Sequence, residues 1–373
     1  MTTGVAILGS TGSIGTSTIR VLQRQKRRFH VVALTAFGSE DLLAEQAAAV
    51  DADFVGLVKP SSNGVEECSG SECLIEAATH PDVDIVVNAV VGAAGLEATV
   101  AALRARKRVA LANKETLVMA GDLVLKTAKE YGGEVVPIDS EHSAVLQCTT
   151  GRPDVELSRL ILTASGGPFR EWPKERLPQA QVEDALMHPT WSMGPKITVD
   201  SATLANKALE VIEAHHLFRL GYEAIEVVVH PQSIVHAFTE FVDGSVLAQV
   251  GFPTMELPIL YALTYPDRVS DDATPRFDPI AASPLTFEPV RRDDFPTFAL
   301  GEGAGRLGGT APAVFNAANE IAVGAFLSGR IGFERIPTVI EGVLRAHDLG
   351  PADDLTAILE ADCWARAATE DQC

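Results

Sequence analysis

The sequence predicts an α/β fold in which an N-terminal Rossmann-like parallel sheet is followed by a central α+β domain and a C-terminal helical bundle. Short apolar strands alternate with helical segments up to residue 138, and a glycine-rich turn directly follows the first strand. From Phe295 onward only helical patterns remain. The predicted domains are therefore residues 1–138, 139–264 and 295–373, with a linker rich in Pro, Asp and Arg at 265–294.

Composition and charge limit the classes of function. The 373 residues are 46% hydrophobic and 21% charged, as in a globular protein with an ample core. The formal net charge of −20 argues against nucleic acid and anionic membrane as partners, and no apolar run is long enough to span a bilayer. The five cysteines are irregularly spaced and the first strand starts at residue 5, so we expect reduced thiols, no leader peptide and a cytoplasmic location.

The first chemical signal is the turn Gly9-Ser-Thr-Gly12-Ser-Ile-Gly15, which lies between a short apolar strand and a helical segment. Strand, glycine-rich turn and helix in this order are typical of a dinucleotide-binding fingerprint. We expect a pyrophosphate to rest on the start of the helix, at Thr11, Gly12, Ser13 and Ile14. A plain tight turn is the alternative interpretation.

The second strand, at residues 30–35, leads to the place where the adenosine ribose of a bound dinucleotide would lie. An enzyme that uses NAD usually has Asp or Glu there, but residues 36–39 contain neither. The missing acid favours NADP, with Ser39 and backbone N–H groups available to the 2′-phosphate. No Lys or Arg lies in this stretch to support that preference.

Two further strands end in glycine-rich or polar residues. The strand at 84–90 is followed by residues 91–95, and the strand at 108–112 is followed by Asn113, Lys114 and Glu115. Ligands of open α/β sheets bind at the carboxyl ends of the strands. We therefore expect these three polar residues either to contact the nicotinamide side of a cofactor or to cap the next helix.

Paired acids follow the last strand of the first domain. Asp139 and Glu141 are two positions apart, and neighbouring carboxylates repel each other unless a cation lies between them. Mg²⁺ and Mn²⁺, which prefer oxygen ligands, suit such a pair. The alternative is an acidic N-cap of a helix at residues 140–149.

Residues 197–210 are interpreted as a short buried strand that runs into a helix, with Asp200 or Ser201 at the N-cap. A hydroxyl at the start of a helix suits a phosphate group, because free backbone N–H groups point toward it. The preceding residues 165–195 are rich in proline and carry two tryptophans, which indicates a functional lid or a linker.

The helix within residues 197–210 carries three polar side chains on one face. Asn206 and Lys207 lie four and three positions before Glu210, which is helical spacing. Together with Ser201, these side chains would hold a phosphorylated polyol beside a metal. The alternative is a capped helix with an ordinary Lys–Glu pair.

These stretches belong to a longer series of motifs that continues into the helical C-terminus. The series is Gly9-Ser-Thr-Gly-Ser-Ile-Gly15, Leu111-Ala-Asn-Lys-Glu115, Asp139-Ser-Glu-His142, Ser165-Gly-Gly-Pro-Phe169, His188-Pro-Thr-Trp-Ser-Met-Gly194, Asp200-Ser-Ala-Thr203, Asn206-Lys-Ala-Leu-Glu210, His230-Pro-Gln-Ser-Ile-Val-His236 and Asn316-Ala-Ala-Asn-Glu320. In order and spacing the series resembles the 1-deoxy-D-xylulose 5-phosphate reductoisomerase family.

The resemblance implies a homodimer that uses NADPH and a divalent metal, either Mg²⁺ or Mn²⁺, with Co²⁺ as a further candidate. Residues 1–138 would bind NADPH, and 139–264 would form the catalytic and dimerisation domain with a lid loop at 165–195. The implied reaction converts 1-deoxy-D-xylulose 5-phosphate to 2-C-methyl-D-erythritol 4-phosphate by retro-aldol and aldol steps followed by reduction. This reaction belongs to the non-mevalonate route to isoprenoid precursors.

The resemblance also implies roles for individual residues. The metal ligands are Asp139, Glu141 and Glu210. The catalytic residues are Lys114, Glu141, His188 and Glu210. The substrate-binding residues are Ser140, Glu141, Ser165, His188, Trp191, Met193, Ser201, Asn206, Lys207 and Glu210. The cofactor-binding residues are Thr11, Gly12, Ser13, Ile14, Gly38, Ser39, Asn113, Lys114, Glu115 and Gly194.

One departure from the family pattern concerns the cofactor. The family commonly has a Gly-Lys-Asn or Asn/Ser-rich turn near the 2′-phosphate, whereas this chain has Phe37-Gly38-Ser39. We therefore expect a weaker preference for NADPH over NADH.

Two other classes of function are alternatives. An NADP-dependent amino- or hydroxy-acid dehydrogenase of the homoserine or semialdehyde type would share the first domain, but it needs no site with three carboxylates. A non-catalytic nucleotide-sensing protein with a decayed site would have no reason to keep the carboxylates, Lys207 and the lid aromatics together.

Overall fold

A computed structural model describes residues 2–60, 66 and 68–373. Contacts between residues divide the chain into two compact units. Unit 1 comprises Met1–Thr116, Val124–Ser143 and Thr254–Pro275, and unit 2 comprises Leu117–Leu123, Ala144–Pro253 and Arg276–Cys373. The division into three domains and a linker, which rests on the sequence, stays a prediction.

The strands and α-helices are numbered in chain order. The strands are β1 (Thr3–Leu8), β2 (Phe29–Ala36), β3 (Phe54–Leu57), β4 (Cys68–Ser69), β5 (Ile85–Asn88), β6 (Arg108–Leu111), β7 (Glu134–Pro137), β8 (Leu157–Ala164), β9 (Ile225–Val229), β10 (Val235–Phe241), β11 (Val246–Val250) and β12 (Glu288–Pro289). The helices are α1 (Ser13–Arg24), α2 (Glu40–Val50), α3 (Glu72–Thr79), α4 (Leu96–Arg104), α5 (Lys114–Tyr131), α6 (Ser140–Thr149), α7 (Val182–Leu186), α8 (Pro195–Thr203), α9 (Ala205–Phe218), α10 (Glu256–Thr264), α11 (Pro296–Leu307), α12 (Ala311–Leu327), α13 (Arg335–Ala346) and α14 (Leu355–Glu370).

Unit 1 is built on a seven-stranded parallel sheet with the strand order β4-β3-β2-β1-β5-β6-β7. The strands are almost wholly apolar and buried, as expected for a parallel sheet covered on both faces. Since β1 pairs with β2 on one side and with β5 on the other, the order of the strands reverses at β1. The crevice beside the carboxyl ends of β1 and β5 is where such sheets bind their ligands.

The last segment of unit 1 comes from far along the chain. Helix α10 packs against α1, and its Glu256 accepts from Arg20 (2.9 Å) and Arg24 (2.6 Å). Both carboxylate oxygens of Asp271 accept from Nε of the same Arg24, Oδ1 at 2.9 Å and Oδ2 at 3.0 Å. The stretch Thr254–Pro275 therefore belongs to unit 1 and packs on its sheet and on α1.

Unit 2 combines a five-stranded sheet with helices. The strand order is β11-β10-β8-β9-β12, in which only β8 and β9 run parallel. Helix α12 contacts α8, α11, α13 and α14, and it is buried nearly all round, as a central helix should be. Its Phe315 is fully buried, as are Phe169 and Phe298 of the same core.

The predicted fold class is confirmed. The parallel sheet, the second sheet and the C-terminal helices all occur in the predicted order. In the part of the chain that the structure describes, no helix is both long and apolar enough to cross a membrane.

Candidate active site

The glycine-rich turn after β1 brings backbone atoms very close together. Gly9 has a φ of +82°, and a Cβ added there would lie 2.8 Å from the carbonyl oxygen of Ala89. A Cβ on Gly15 would lie 2.4 Å from the oxygen of Gly9. At Gly12 the nearest atom would be 3.4 Å away, which is ordinary contact. Packing therefore requires glycine at positions 9 and 15, whereas position 12 has room for a side chain.

This turn presents the N-terminus of α1. Gly12 precedes the helix in an extended conformation, and no side chain caps it. Gly12 and Ser13 are exposed, while Thr11 and Ile14 are half-buried. An uncapped helix start offers N–H groups and a positive dipole end to an anion. All four predicted pyrophosphate contacts lie at this helix start.

Asn113 links two loops at the same edge of the sheet. Its side-chain oxygen accepts from the backbone N–H of Thr116 at 3.0 Å, so it caps α5. Its amide donates to the carbonyl oxygens of Val90 and Gly92, both at 2.8 Å, and to Glu115 at 3.2 Å. The cap interpretation is therefore observed, and the contacts of Asn113, Lys114 and Glu115 with a cofactor stay predictions.

Lys114 and the acids after β7 form one cluster in unit 1. The ammonium of Lys114 donates to Oδ2 of Asp139 at 3.0 Å, and Nδ1 of His142 lies 3.0 Å from Oδ1. Lys114 and His142 are both buried. The hydroxyl of Ser140 donates to the carboxylate of Glu141, whose backbone N–H donates to Asp139. Asp139 thus caps the start of α6 and also lies in a charged cluster.

Unit 2 contains a serine–histidine pair between β8 and α8. Oγ of Ser165 lies 2.9 Å from Nε2 of His188. Nδ1 of His188 accepts from the backbone N–H groups of Thr190 (3.1 Å) and Trp191 (2.9 Å). Because Nδ1 accepts, Nε2 carries the proton and donates to Ser165. Burial lowers the pKa of His188 to about 4, so the imidazole is neutral at pH 7.

The expected strand at the start of 197–210 is wrong. Pro195 begins α8 at its first position, and the helix continues to Thr203. Leu204, with a φ of +61°, then separates α8 from α9. Ser201 consequently lies in the last turn of a helix instead of capping one. The helix start that remains is that of α9, and Asn206 and Lys207 occupy its first turn.

Lys207 is a buried cation of unit 2, with 4% of its surface exposed. Its ammonium donates to the carboxylate of Glu210 and to the carbonyl oxygen of Thr163 at the end of β8. The amide of Asn206 donates to the other oxygen of Glu210. The predicted shared face of α9 is confirmed, and Glu210 is the acceptor at its centre.

The segment after β8 also reaches Ser201. Gly167, with a φ of +68°, has no room for a side chain, because a Cβ there would lie 2.5 Å from the carbonyl oxygen of Ser201. The carboxyl end of β8 therefore brings Ser165, Ser201 and Lys207 to one place in unit 2.

The remaining predicted residues lie in loops. Trp191 and Met193 are half-buried in the segment before α8, and exposed Gly194 is the residue before its first turn. Gly38 and Ser39 are exposed at the tip of β2.

Three residues without a predicted role contact acidic side chains in this region of the chain. His142 lies beside Asp139, and its spacing of three positions on a helix was the available signal. Asn319 donates to Asp200 at 2.8 Å, and Lys196 pairs with the same carboxylate at 2.9 Å. Asp200 is 1% exposed and joins α8 to α12, a contact that sequence spacing does not reveal.

Comparison with known proteins gives the same family throughout the chain. The family models for 1-deoxy-D-xylulose 5-phosphate reductoisomerase match residues 5–121, and those for its C-terminal domains match 135–218 and 250–368. A protein of this name from Synechococcus sp. strain JA-2-3B'a(2-13) is 48% identical over 98% of this chain and 96% of its own length. The chain belongs to the 1-deoxy-D-xylulose 5-phosphate reductoisomerase family.

Solved structures of reductoisomerases agree with this assignment. The enzyme from Zymomonas mobilis, in complex with NADPH, is 39% identical and has a TM-score of 0.92, covering 100% of this chain and 99% of that one. A reductoisomerase in complex with NADPH, fosmidomycin and magnesium is 40% identical with a TM-score of 0.94, covering 99% and 98%. The predicted reductoisomerase activity is confirmed, as are NADPH and a divalent metal as the cofactors of the family. The dehydrogenase alternative is not favoured.

Proposed function

We propose that unit 1 binds NADPH, that unit 2 binds the phosphate of 1-deoxy-D-xylulose 5-phosphate, and that Asp139, Glu141 and Glu210 hold a divalent metal. The observation that carries the substrate site is the convergence of Ser165, Ser201 and Lys207 at the end of β8. In this structure Glu210 compensates the charge of the buried ammonium of Lys207. With Glu210 bound to a metal, a phosphate beside Lys207 would compensate that charge instead.

The phosphate site is composed of donors. The hydroxyl of Ser165 accepts from the backbone N–H of Gly167 (3.2 Å) and from neutral His188, so its own proton can point to a phosphate oxygen. Lys207 and Asn206 lie in the first turn of α9, where the helix dipole favours an anion. Charge-assisted bonds to phosphate are stronger than neutral ones. Ser201 completes the set.

The three carboxylates fit a hard cation. Each is already stabilised inside its own unit by a positive or donor group: Lys114 on Asp139, Ser140 on Glu141, and Lys207 with Asn206 on Glu210. Oxygen ligands of this kind suit Mg²⁺ and Mn²⁺. When bound, the metal supplies a Lewis acid that polarises a carbonyl oxygen and orients the substrate.

NADPH supplies the hydride for the reduction. For this chain, the open start of α1 at residues 11–14 would hold the pyrophosphate, and Asn113 fixes the loops after β5 and β6 on the nicotinamide side. Trp191, whose backbone N–H is bound to His188, would exclude water from the reacting groups when the segment before α8 covers them.

The direct test follows the absorbance of NADPH on addition of 1-deoxy-D-xylulose 5-phosphate to protein freed of metal by a chelator. We expect no oxidation until Mg²⁺ or Mn²⁺ is restored, since the carboxylates by themselves provide no positive charge to polarise the substrate carbonyl. Aspartate semialdehyde, whose aldehyde a dehydrogenase of the alternative class would reduce with NADPH, is the control substrate. Oxidation that is independent of metal, or that occurs only with the control substrate, would refute the proposed function.

The second sheet offers a surface for a second copy of the chain. Strand β11 lies at the edge of the sheet order, and its Val246 and Leu247 are 48% and 38% exposed. An open strand edge with exposed apolar side chains tends to pair with another chain. The homodimer that the family resemblance implies would use this edge.

Sedimentation tests the dimer. We expect the wild-type protein to sediment as a dimer, and Leu247→Asp to shift it toward monomer because a charge in a closed apolar interface is costly. Ile280→Asp is the control, because Ile280 is 86% exposed in a turn that belongs to none of the strands of the sheet. A wild-type monomer, or an equal shift in both variants, contradicts the role of β11.

A cytoplasmic location stays a prediction. All five cysteines are free thiols, which is typical of a reducing compartment. Burial raises the pKa of Cys73 to about 12, so this thiol is unreactive at neutral pH.

A further inference from the structure

The neighbourhood of the β2 tip contains a cation that the local sequence lacks. Strands β2 and β3 run side by side, with Ala36 opposite Leu57. The pairing continues beyond the strands, because Val58 donates to the carbonyl oxygen of Ala36 (2.9 Å) and Lys59 donates to that of Phe37 (2.7 Å). Two consecutive backbone bonds therefore fix Lys59 beside the tip of β2.

The side chain of Lys59 lies along this tip. Its Cδ would be 3.2 Å from a Cβ built on Gly38, so the methylene stem occupies the space that glycine leaves. Its ammonium lies 4.7 Å from the centre of the Phe37 ring, which is cation–π distance. In the described part of the chain, this ammonium is not paired with a carboxylate.

The position has a defined meaning in this type of fold. The end of the second strand of a Rossmann-like sheet meets the adenosine ribose, where an acid selects the 2′-hydroxyl of NAD and a cation accommodates the 2′-phosphate of NADP. Residues 36–39 carry no acid and no cation of their own. Phe37, 64% exposed, instead holds the ammonium of Lys59 at the place where that cation is needed.

We infer that Lys59 binds the 2′-phosphate of NADPH and gives this chain its preference for NADPH over NADH. The inference rests on the proposed binding of NADPH to unit 1. The acids that follow the β2 tip in the sequence are Glu40 and Asp41, in the first turn of α2. Their charges disfavour a phosphate, so the ammonium of Lys59 is the group on which discrimination depends.

The test measures binding without turnover, by calorimetric titration of the full-length protein with 2′,5′-ADP and with 5′-ADP. Lys59→Met keeps the stem over Gly38 and removes the charge. We expect it to weaken binding of 2′,5′-ADP about tenfold, as loss of one charge-assisted bond at an exposed site does, and to leave 5′-ADP unchanged. Lys59→Arg, which keeps the positive charge, should retain most of the affinity for 2′,5′-ADP.

Lys26→Met is the matched control, because Lys26 is exposed just before β2, at the opposite edge of the sheet. Equal weakening for both nucleotides, equal weakening in the control, or unchanged affinity for 2′,5′-ADP in Lys59→Met would overturn the role of Lys59. If the wild-type protein binds NADPH and Lys59→Met binds it with the same affinity, only the role of Lys59 is refuted. Wild-type protein that binds no NADPH refutes the proposed function itself.

Discussion

Glu210→Gln is expected to reduce turnover by at least about 10³-fold, because it removes one carboxylate charge from the proposed metal ligands and roughly 4 kcal/mol of transition-state stabilisation. The substitution preserves the size of the side chain and an oxygen that accepts from Asn206. The measurement is kcat at saturating Mn²⁺ and substrate, together with Mn²⁺ affinity by titration. Both quantities should fall.

Stability must be followed in the same variant, because Lys207 loses its charged partner. Breaking a buried pair costs about 3 kcal/mol, so a lower Tm is expected and assays belong well below it. Glu223→Gln is the control, since Glu223 is an exposed acid of unit 2. A folded Glu210→Gln protein with near-normal kcat and Mn²⁺ affinity would exclude Glu210 from the metal site.

Lys207→Met is expected to lower kcat/KM by about 10²-fold, since a buried charge-assisted bond to phosphate contributes roughly 3 kcal/mol. The distinguishing measurement is competition by inorganic phosphate, whose inhibition constant should rise in parallel. A purely structural effect would not change the affinity for phosphate selectively.

The control is Lys174→Met, because the ammonium of Lys174 is largely exposed and its pair with Asp294 is a surface one at 3.5 Å. If phosphate inhibits Lys207→Met and the wild-type protein equally, Lys207 does not hold the phosphate, and its role is confined to compensating Glu210.

Local patterns predicted much of the fold. The glycine-rich turn specifies its own geometry, because Gly9 and Gly15 admit no side chain. The helical character of the chain after Phe295, where α11 to α14 lie, is predicted correctly, since helical periodicity is a local property. The acids after β7 were found from their place at the end of a strand. The two interpretations of Asp139 are not exclusive, because it accepts from the backbone N–H of Glu141 at the start of α6 and also from the ammonium of Lys114.

The errors and omissions concern contacts between distant residues. Thr198 and Val199 are β-branched and favour a strand, but Pro195 at the first helical position and burial in the core of unit 2 produce α8 instead. Lys59 reaches the β2 tip only because β3 pairs with β2. The bond from Asn319 to Asp200 spans 119 positions, and spacing along the chain carries no sign of it.

The return of α10 to unit 1 has a consequence for biosynthesis. The parallel sheet is complete once residue 137 has been made, but the helix that covers α1 and the acids that pair with Arg24 come from Thr254–Pro275. At a synthesis rate of 5–20 residues per second, the nascent sheet waits roughly 7 to 28 s for this segment. During that interval the part of α1 that α10 covers stays exposed, and Arg24 is without the two carboxylates that pair with it in the folded chain.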